Sequence, residues 1–244
     1  MQQNIARTTR RKEATRIAYN RMSGVYSLLS AVFEKKLREA GLRKLAVQSG
    51  EIVLEIGFGT GRAIVSMASA AGDKGKVYGI DVSDAMLRKA GRRVRKAGLA
   101  KGVVLQRGDA VELPYKDAFF DAIFMSFTLE LFDTPEIPIV LKECKRVLKD
   151  DGRLCVVALS KKDEDSFMVR LYERVHRMFP RYVDCRPIYV RQSLEESDFR
   201  AADATDVSMW GLPLSIILAR KATTVGEAQP IRDISPATSD KAEA

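Results

Sequence analysis

The sequence has 244 residues, of which 46% are hydrophobic and 30% charged, and this balance is typical of globular proteins rather than disordered or fibrous ones. Its 41 Lys and Arg exceed its 32 Asp and Glu, so the net charge of +9 is consistent with an anionic ligand or surface. The uncharged apolar stretch near the C-terminus, Val207 to Ala219, has 13 residues, too few for the ~20 that a membrane-spanning helix needs.

The N-terminus and the cysteines indicate a reducing compartment. No apolar run with a small-residue cleavage site follows the basic residues at the start, so we expect no secretory signal and a cytoplasmic location. Cys144, Cys155 and Cys185 are odd in number and lack the spacing of zinc ligands. We therefore expect free thiols and no bound metal.

Composition changes at both ends of the chain. Residues 1–21 contain six cations and one acid, a net of +5, and residues 1–44 are predicted to form a basic arm followed by a helical lid. Residues 222–244 are rich in Ala, Thr, Ser, Pro and acids, which predicts a disordered tail. The segment between them, 45–221, is predicted to be one domain.

Within that domain, short apolar runs alternate with helical patterns, which is typical of βαβ units and a parallel sheet. The predicted parallel strands are Ile52–Ile56, Lys76–Ile80, Val103–Arg107, Phe120–Met125 and Arg153–Leu159. The last two apolar runs, Ala202–Met209 and Leu214–Ala219, predict a hairpin at the sheet edge.

The sequence predicts where two helices begin between these strands. Ser83 or Asp84 is predicted to cap a helix that stops at Gly98, and Thr134-Pro135 is predicted to cap and start another. Residues 160–200 are predicted to form an insertion above the sheet, including a helix over Val190 to Ser197.

A second basic segment follows Asp84, and acids elsewhere in the chain offset part of its charge. The segment from Arg88 to Lys101 contains seven cations and no acid. This pattern predicts a face that contacts anionic lipid headgroups at the inner face of a membrane, with Val25 to Phe33 as an apolar contact. A solvated helix face is the alternative.

The segment from Val53 to Arg62 is the most informative part of the sequence. It predicts a strand that ends in Gly57-x-Gly59-x-Gly61 and opens a helix. Glycines there allow positive φ and close approach of a ligand, and the N–H groups at the helix start can receive an anionic group. The dinucleotide-binding fingerprint needs glycine at its sixth position, which Arg62 occupies.

Acidic residues accompany this loop at the ends of neighbouring strands. Glu55 precedes the first glycine by two positions, and Asp81 ends the next predicted strand. A carboxylate at Asp81 can accept hydrogen bonds from both hydroxyls of a ribose. A third element, Gly108-Asp109-Ala110, follows the third strand.

In this combination the chain resembles the class I S-adenosylmethionine-dependent methyltransferases, from about Tyr19 to Lys221. The resemblance implies an α/β fold with a Rossmann-like, seven-stranded, mostly parallel sheet, an antiparallel last strand and helices on both faces. It also implies S-adenosylmethionine as cofactor. More specifically, the chain looks like the branch of ubiquinone/menaquinone C-methyltransferases and related lipid methyltransferases, because of the tyrosine-bearing segment from Ile17 to Tyr26 and the Leu113-Pro114-Tyr115 run.

The resemblance assigns a role to each part of the site. Glu55 would hold the amino group of the cofactor, and Asp81 would bind its ribose diol. The other residues carried over are those of the glycine loop, the adenine pocket, the segment after the fourth strand and the lid, namely Gly57, Gly59, Gly61, Val82, Met86, Asp109, Ala110, Ser126, Phe127, Tyr19 and Tyr26.

The sequence is compatible with more than one methyl acceptor. The run Ser126 to Phe132 replaces the Phe-Gly-Leu-Arg-Asn type of run in the quinone enzymes, so a quinone-like molecule and a phospholipid headgroup both fit. His176, the only histidine, is the candidate catalytic residue, with a surface role as its alternative. A nucleic-acid or protein methyltransferase and a non-catalytic cofactor-binding protein are the rival functions; no Asn/Asp-Pro-Pro-aromatic run supports nucleic acid as a partner.

Overall fold

The computed structural model describes residues 25–161, 186–209 and 212–222, with the backbone alone at 25–32 and 209. Its helices are α1 (Val25–Leu45), α2 (Arg62–Ala71), α3 (Asp84–Lys96), α4 (Glu136–Val147) and α5 (Val190–Glu196). Its strands are β1 (Ile52–Ile56), β2 (Lys76–Asp81), β3 (Val103–Arg107), β4 (Phe120–Ser126), β5 (Leu148–Leu159), β6 (Phe199–Met209) and β7 (Leu212–Lys221). Among the described helices, none has an apolar stretch long enough to cross a membrane.

The strands form one seven-stranded sheet in the order β3-β2-β1-β4-β5-β7-β6. Strands β1 to β5 pair in parallel, whereas β7 runs antiparallel to both β5 and β6. This arrangement confirms the predicted fold class, including the antiparallel last strand.

Apolar side chains on both faces of the sheet explain why it is covered by helices on both sides. Helices α1, α2 and α3 bury residues such as Leu45, Ile64 and Ala90 against one face. Helices α4 and α5 bury residues such as Leu141 and Leu194 against the other. The middle of the central strand β4, from Ala122 to Met125, is therefore a continuous buried apolar run, as expected for a parallel sheet between two helical layers.

Helix α1 packs in direct contact with strands β4 and β5. Gly41 lies so close to Val157 and Phe124 that a Cβ at this position would overlap with their side chains. At the end of the helix, Arg153 donates hydrogen bonds to the carbonyl oxygen of Leu45 and to both carboxylate oxygens of Glu51. These contacts fix the orientation of α1 relative to β4 and β5.

Some element boundaries differ from those predicted. Strand β5 begins at Leu148 rather than at Arg153, because the segment before Arg153 also pairs with β4 across an irregularity in register. Helix α4 starts at Glu136 without a side-chain cap, and the hydroxyl of Thr134 accepts a hydrogen bond from Arg186 instead. Ser83 does cap α3, because its hydroxyl accepts a hydrogen bond from the Met86 N–H at 3.3 Å.

Candidate functional site

A cavity of about 510 Å³ opens at the carboxyl ends of β1, β2 and β4. Its volume lies within the roughly 300–1,000 Å³ of small-molecule sites. The chain proceeds from β1 to β2 and β3 on one side and continues with β4 on the other, so the cavity lies where the strand order reverses. Open α/β sheets bind their ligands in this crevice.

The structure places most of the predicted cofactor residues around this one cavity. Those that line it are Glu55, Gly57, Gly59, Asp81, Val82, Met86, Asp109, Ala110, Ser126 and Phe127. Gly61 lies behind the cavity wall, where an added Cβ would come within 2.8 Å of the Ala90 Cβ. Tyr19 and His176 lie outside the described residues, and Tyr26 lies in the part of α1 described by its backbone alone.

The glycine loop needs its glycines for two different reasons. Gly57 has a φ of 72° and lies so close to Thr128 that any Cβ would overlap with the threonine side chain. Gly59 has a φ of 50°, but no atom lies within 4 Å of its Cβ position. Left-handed backbone disfavours other residues at both positions, and at Gly57 the close approach of β4's following loop adds to this.

Asp81 is held by main-chain donors. Its Oδ2 accepts a hydrogen bond from the Gly59 N–H and its Oδ1 from the Ser83 N–H, each at 2.9 Å. Burial nevertheless raises the pKa of Asp81 above its ordinary value, against the effect of these two hydrogen bonds. Each oxygen keeps a further acceptor site, so the carboxylate can receive two hydroxyl groups from a ligand in the cavity.

Glu55 is the most deeply buried charged group of the site, with 3% of its surface exposed. Its Oε2 has no hydrogen-bond donor among the described residues. Burial, reinforced by repulsion from Asp81 and opposed by Arg38, raises the pKa of Glu55 well above its usual range. A buried carboxylate without a partner is destabilising, so a cationic ligand group would stabilise this site, and the amino group of S-adenosylmethionine fits it.

The loop after β4 forms the opposite, more apolar wall. Phe127 has a φ of 55°, which is strained for a bulky residue, and its N–H donates to the Val157 carbonyl oxygen at 2.7 Å. Leu131 and Phe132 continue this wall around the cavity. The site therefore has a polar side built on β1 and β2 and an apolar side built on β4.

Glu130 and Arg186 support that apolar wall from behind. Glu130 is fully buried, and its Oε1 accepts a hydrogen bond from the Leu159 N–H at 3.3 Å. Burial raises the pKa of Glu130 to about 8, although hydrogen bonds from backbone N–H groups and the charge of Arg186 oppose the shift. Arg186 donates to the carbonyl oxygen of Phe132 at 2.6 Å, so it fixes the loop at its far end.

The sequence did not indicate several of the residues that line the cavity. Thr60 and Arg62 lie in the predicted glycine loop but had no predicted role, and Glu34 and Arg38 on α1 carry no motif signal. Glu130 and Arg186, which lie behind the apolar wall, were not predicted either. The one sequence signal for Glu130 is its position between two leucines. Across the ranges that the structure describes, no group of three His, Cys, Asp or Glu side chains could hold a metal ion.

Comparisons with known proteins agree with this geometry. Residues 53–152 match the family described as "Methyltransferase domain". The chain is 33% identical over 171 residues to a demethylmenaquinone methyltransferase of Lactobacillus johnsonii, covering 69% of this chain and 67% of the relative. It is 35% identical over 131 residues to a 2-phytyl-1,4-naphtoquinone methyltransferase of Synechococcus elongatus, covering 54% of each protein.

A solved structure shows the same architecture. The SAM-dependent methyltransferase from Aquifex aeolicus is 26% identical to this chain and superposes with a TM-score of 0.56. The match covers 75% of this chain and 89% of that one. Sequence and structure therefore lead to the same family.

Proposed function

Because this chain belongs to the class I S-adenosylmethionine-dependent methyltransferases, in the quinone methyltransferase branch, we propose that it methylates a lipid-soluble, quinone-like acceptor. The observation that supports this acceptor is the similarity of the chain to two enzymes named for menaquinone and naphthoquinone substrates. The apolar wall of Phe127, Leu131 and Phe132 suits the same class, since a flat ring packs well against such side chains.

The chain's own residues bind and orient the reactants. The cofactor, when bound, supplies a methyl group that its sulfonium already makes electrophilic, so catalysis depends mainly on alignment and exclusion of water. Asp81 and Glu55 hold the ribose and amino groups, and the wall after β4 covers the acceptor. Methylation at a ring carbon also releases a proton; His176 remains the proposed acceptor of that proton, although it lies outside the described residues.

Transfer of labelled methyl from S-adenosylmethionine tests the acceptor class. The acceptors offered are a naphthoquinol without its ring methyl, phosphatidylethanolamine, both in detergent micelles, and total RNA. We expect label in the naphthoquinol, and loss of that label in Asp81→Ala. Label in phosphatidylethanolamine or RNA alone would overturn the quinone assignment. No transfer to any acceptor despite cofactor binding would favour the non-catalytic alternative.

We further propose that the enzyme meets its acceptor at an anionic membrane surface. A groove of about 590 Å³ runs between α3 and β3, with Arg88, Arg92 and Arg95 above an apolar floor. None of these three guanidinium groups has a hydrogen bond or ion pair with a described residue, and no acid lines the groove. Arg93, by contrast, faces the protein and donates to Thr60. Unpaired cations over apolar side chains match a lipid headgroup and the chain beneath it.

Co-sedimentation with vesicles tests this surface. We expect binding to phosphatidylglycerol vesicles that falls with salt and is absent with phosphatidylcholine. The double variant R88E/R92E should weaken it roughly tenfold or more, since each cation near an anionic bilayer contributes about 1 kcal/mol. The variant K74E/K76E makes the same charge change at exposed lysines outside the groove and should lose much less. Equal losses in both variants would contradict a specific groove.

A further inference from the structure

Three charged side chains from different elements line the cavity, and Arg38 interacts electrostatically with the other two. Arg38 lies in α1, Arg62 is the first residue of α2, and Glu55 lies near the end of β1; all three line the cavity. Arg38 interacts electrostatically with Arg62, with Glu55 and with Glu34 at the rim. Arg38 and Arg62 are the only lysine or arginine side chains that line the cavity among the described residues.

The two arginines form an incomplete electrostatic arrangement. Neither guanidinium group makes a hydrogen bond or an ion pair with any residue in the described part of the chain. Burial, together with repulsion from Arg62, lowers the pKa of Arg38. Two guanidinium groups that repel each other are stabilised by an anion between them, and a carboxylate matches the planar fork of arginine better than other small anions do.

The position of Glu55 identifies the anion. Its unpaired Oε2 suits an ammonium group, and the neighbouring Arg38, together with Arg62, suits a carboxylate. An α-amino acid carries these two groups on one carbon atom. We infer that Arg38 and Arg62 bind the carboxylate of the cofactor's methionine moiety while Glu55 binds its amino group.

This inference deepens the cofactor site on which the proposed function depends. It orients the cofactor with its amino-acid end toward α1 and its ribose at Asp81. It also makes α1 part of the cofactor site, although α1 precedes residues 53–152 that match the methyltransferase domain. The contacts of Gly41 and Leu45 with the sheet would then position Arg38 at the cofactor site.

Calorimetric titration with three ligands separates the groups of the cofactor. S-adenosylhomocysteine carries both the carboxylate and the amine, S-adenosyl-3-thiopropylamine lacks the carboxylate, and 5′-methylthioadenosine lacks both. We expect Arg38→Gln and Arg62→Gln each to weaken S-adenosylhomocysteine at least tenfold, because a charge-assisted hydrogen bond is lost. Both variants should bind the other two ligands within about twofold of the unchanged protein. Lys36→Gln, at an exposed position of α1, should change none of the three affinities.

Glu55→Gln supplies the complementary test. It should weaken the binding of S-adenosylhomocysteine and S-adenosyl-3-thiopropylamine, but leave the affinity for 5′-methylthioadenosine unchanged. Equal weakening of all three ligands by the arginine variants would show a structural role, and no weakening would place the carboxylate elsewhere; either result overturns the inference. Because no acceptor is present, these titrations are independent of the proposed quinone-like substrate.

Discussion

The loops after β1 and β4 face one cavity, but they are built by opposite means. After β1, the main chain determines the geometry: Gly57 and Gly59 adopt left-handed conformations, and N–H groups fix the carboxylate of Asp81. After β4, side chains form most of the cavity surface: Phe127, Leu131 and Phe132 line it, and the buried Glu130 lies behind them.

This difference separates the two tasks of the enzyme. A site made of backbone groups suits a ligand that never changes, since it tolerates few substitutions. A wall made of side chains can change with the acceptor while the sheet stays the same. Substitutions on the two sides should therefore affect different properties of the protein.

The largest effect is expected on the β4 side, in Glu130→Gln. Burial raises the pKa of Glu130 to about 8, so the folded protein keeps a proton that the unfolded chain releases above about pH 4.5. The free energy of unfolding therefore falls as pH rises from about 5 to 8. The free energy of unfolding of Glu130→Gln should not fall in this way. Relative to the unchanged protein, it should therefore rise by roughly 3 kcal/mol over that pH range.

Urea unfolding at several pH values measures this difference. Glu112→Gln, at an exposed position, is the matched control and should follow the unchanged protein at every pH. A constant difference between Glu130→Gln and the unchanged protein across the range would show that Glu130 is ionised in the fold.

On the β1 side, Gly57→Ala should lower the free energy of unfolding by about 2 to 3 kcal/mol, because left-handed strain adds to overlap with Thr128. Gly59→Ala has the strain without the overlap, so its loss should be nearer 1 kcal/mol. Denaturant titration of the two variants compares them directly. A loss in Gly59→Ala as large as that in Gly57→Ala would contradict the packing against β4's loop.

Asp81→Ala should reduce affinity for S-adenosylhomocysteine about 100-fold, because it removes the partner of two ribose hydroxyls. Asp73→Ala, an exposed position before β2, should leave the affinity unchanged. Calorimetry measures both. Retained affinity in Asp81→Ala would exclude the ribose assignment.

The smallest effect is expected in Val82→Ala. Val82 lines the cavity but is 45% exposed, so a bound ligand covers only part of its side chain. We expect S-adenosylhomocysteine to bind about twofold to fivefold more weakly, as the loss of a partly buried pair of methyl groups implies. A loss as large as that in Asp81→Ala would contradict the partial covering of Val82 by the ligand.

The contrast between the two loops also explains what the sequence could predict. Gly57 and Gly59 were identifiable because few residue types adopt their left-handed backbone, and Asp81 because its carboxylate ends the next strand. The seven-stranded sheet followed from the same alternation. Glu130 could not be predicted, because an acid between leucines gains its role only when β5 packs against it. Arg38 lies far from the glycine loop in sequence and reaches the site through the packing of α1 on the sheet.

Methyl transfer from S-adenosylmethionine to a lipid-soluble acceptor is the activity proposed for this cavity. The most direct measurement incubates the protein with labelled S-adenosylmethionine and an extract of its host, then separates lipids, small metabolites, RNA and protein. We predict label in the lipid fraction that disappears in Asp81→Ala and persists in Asp73→Ala. Label confined to RNA or protein would contradict the account.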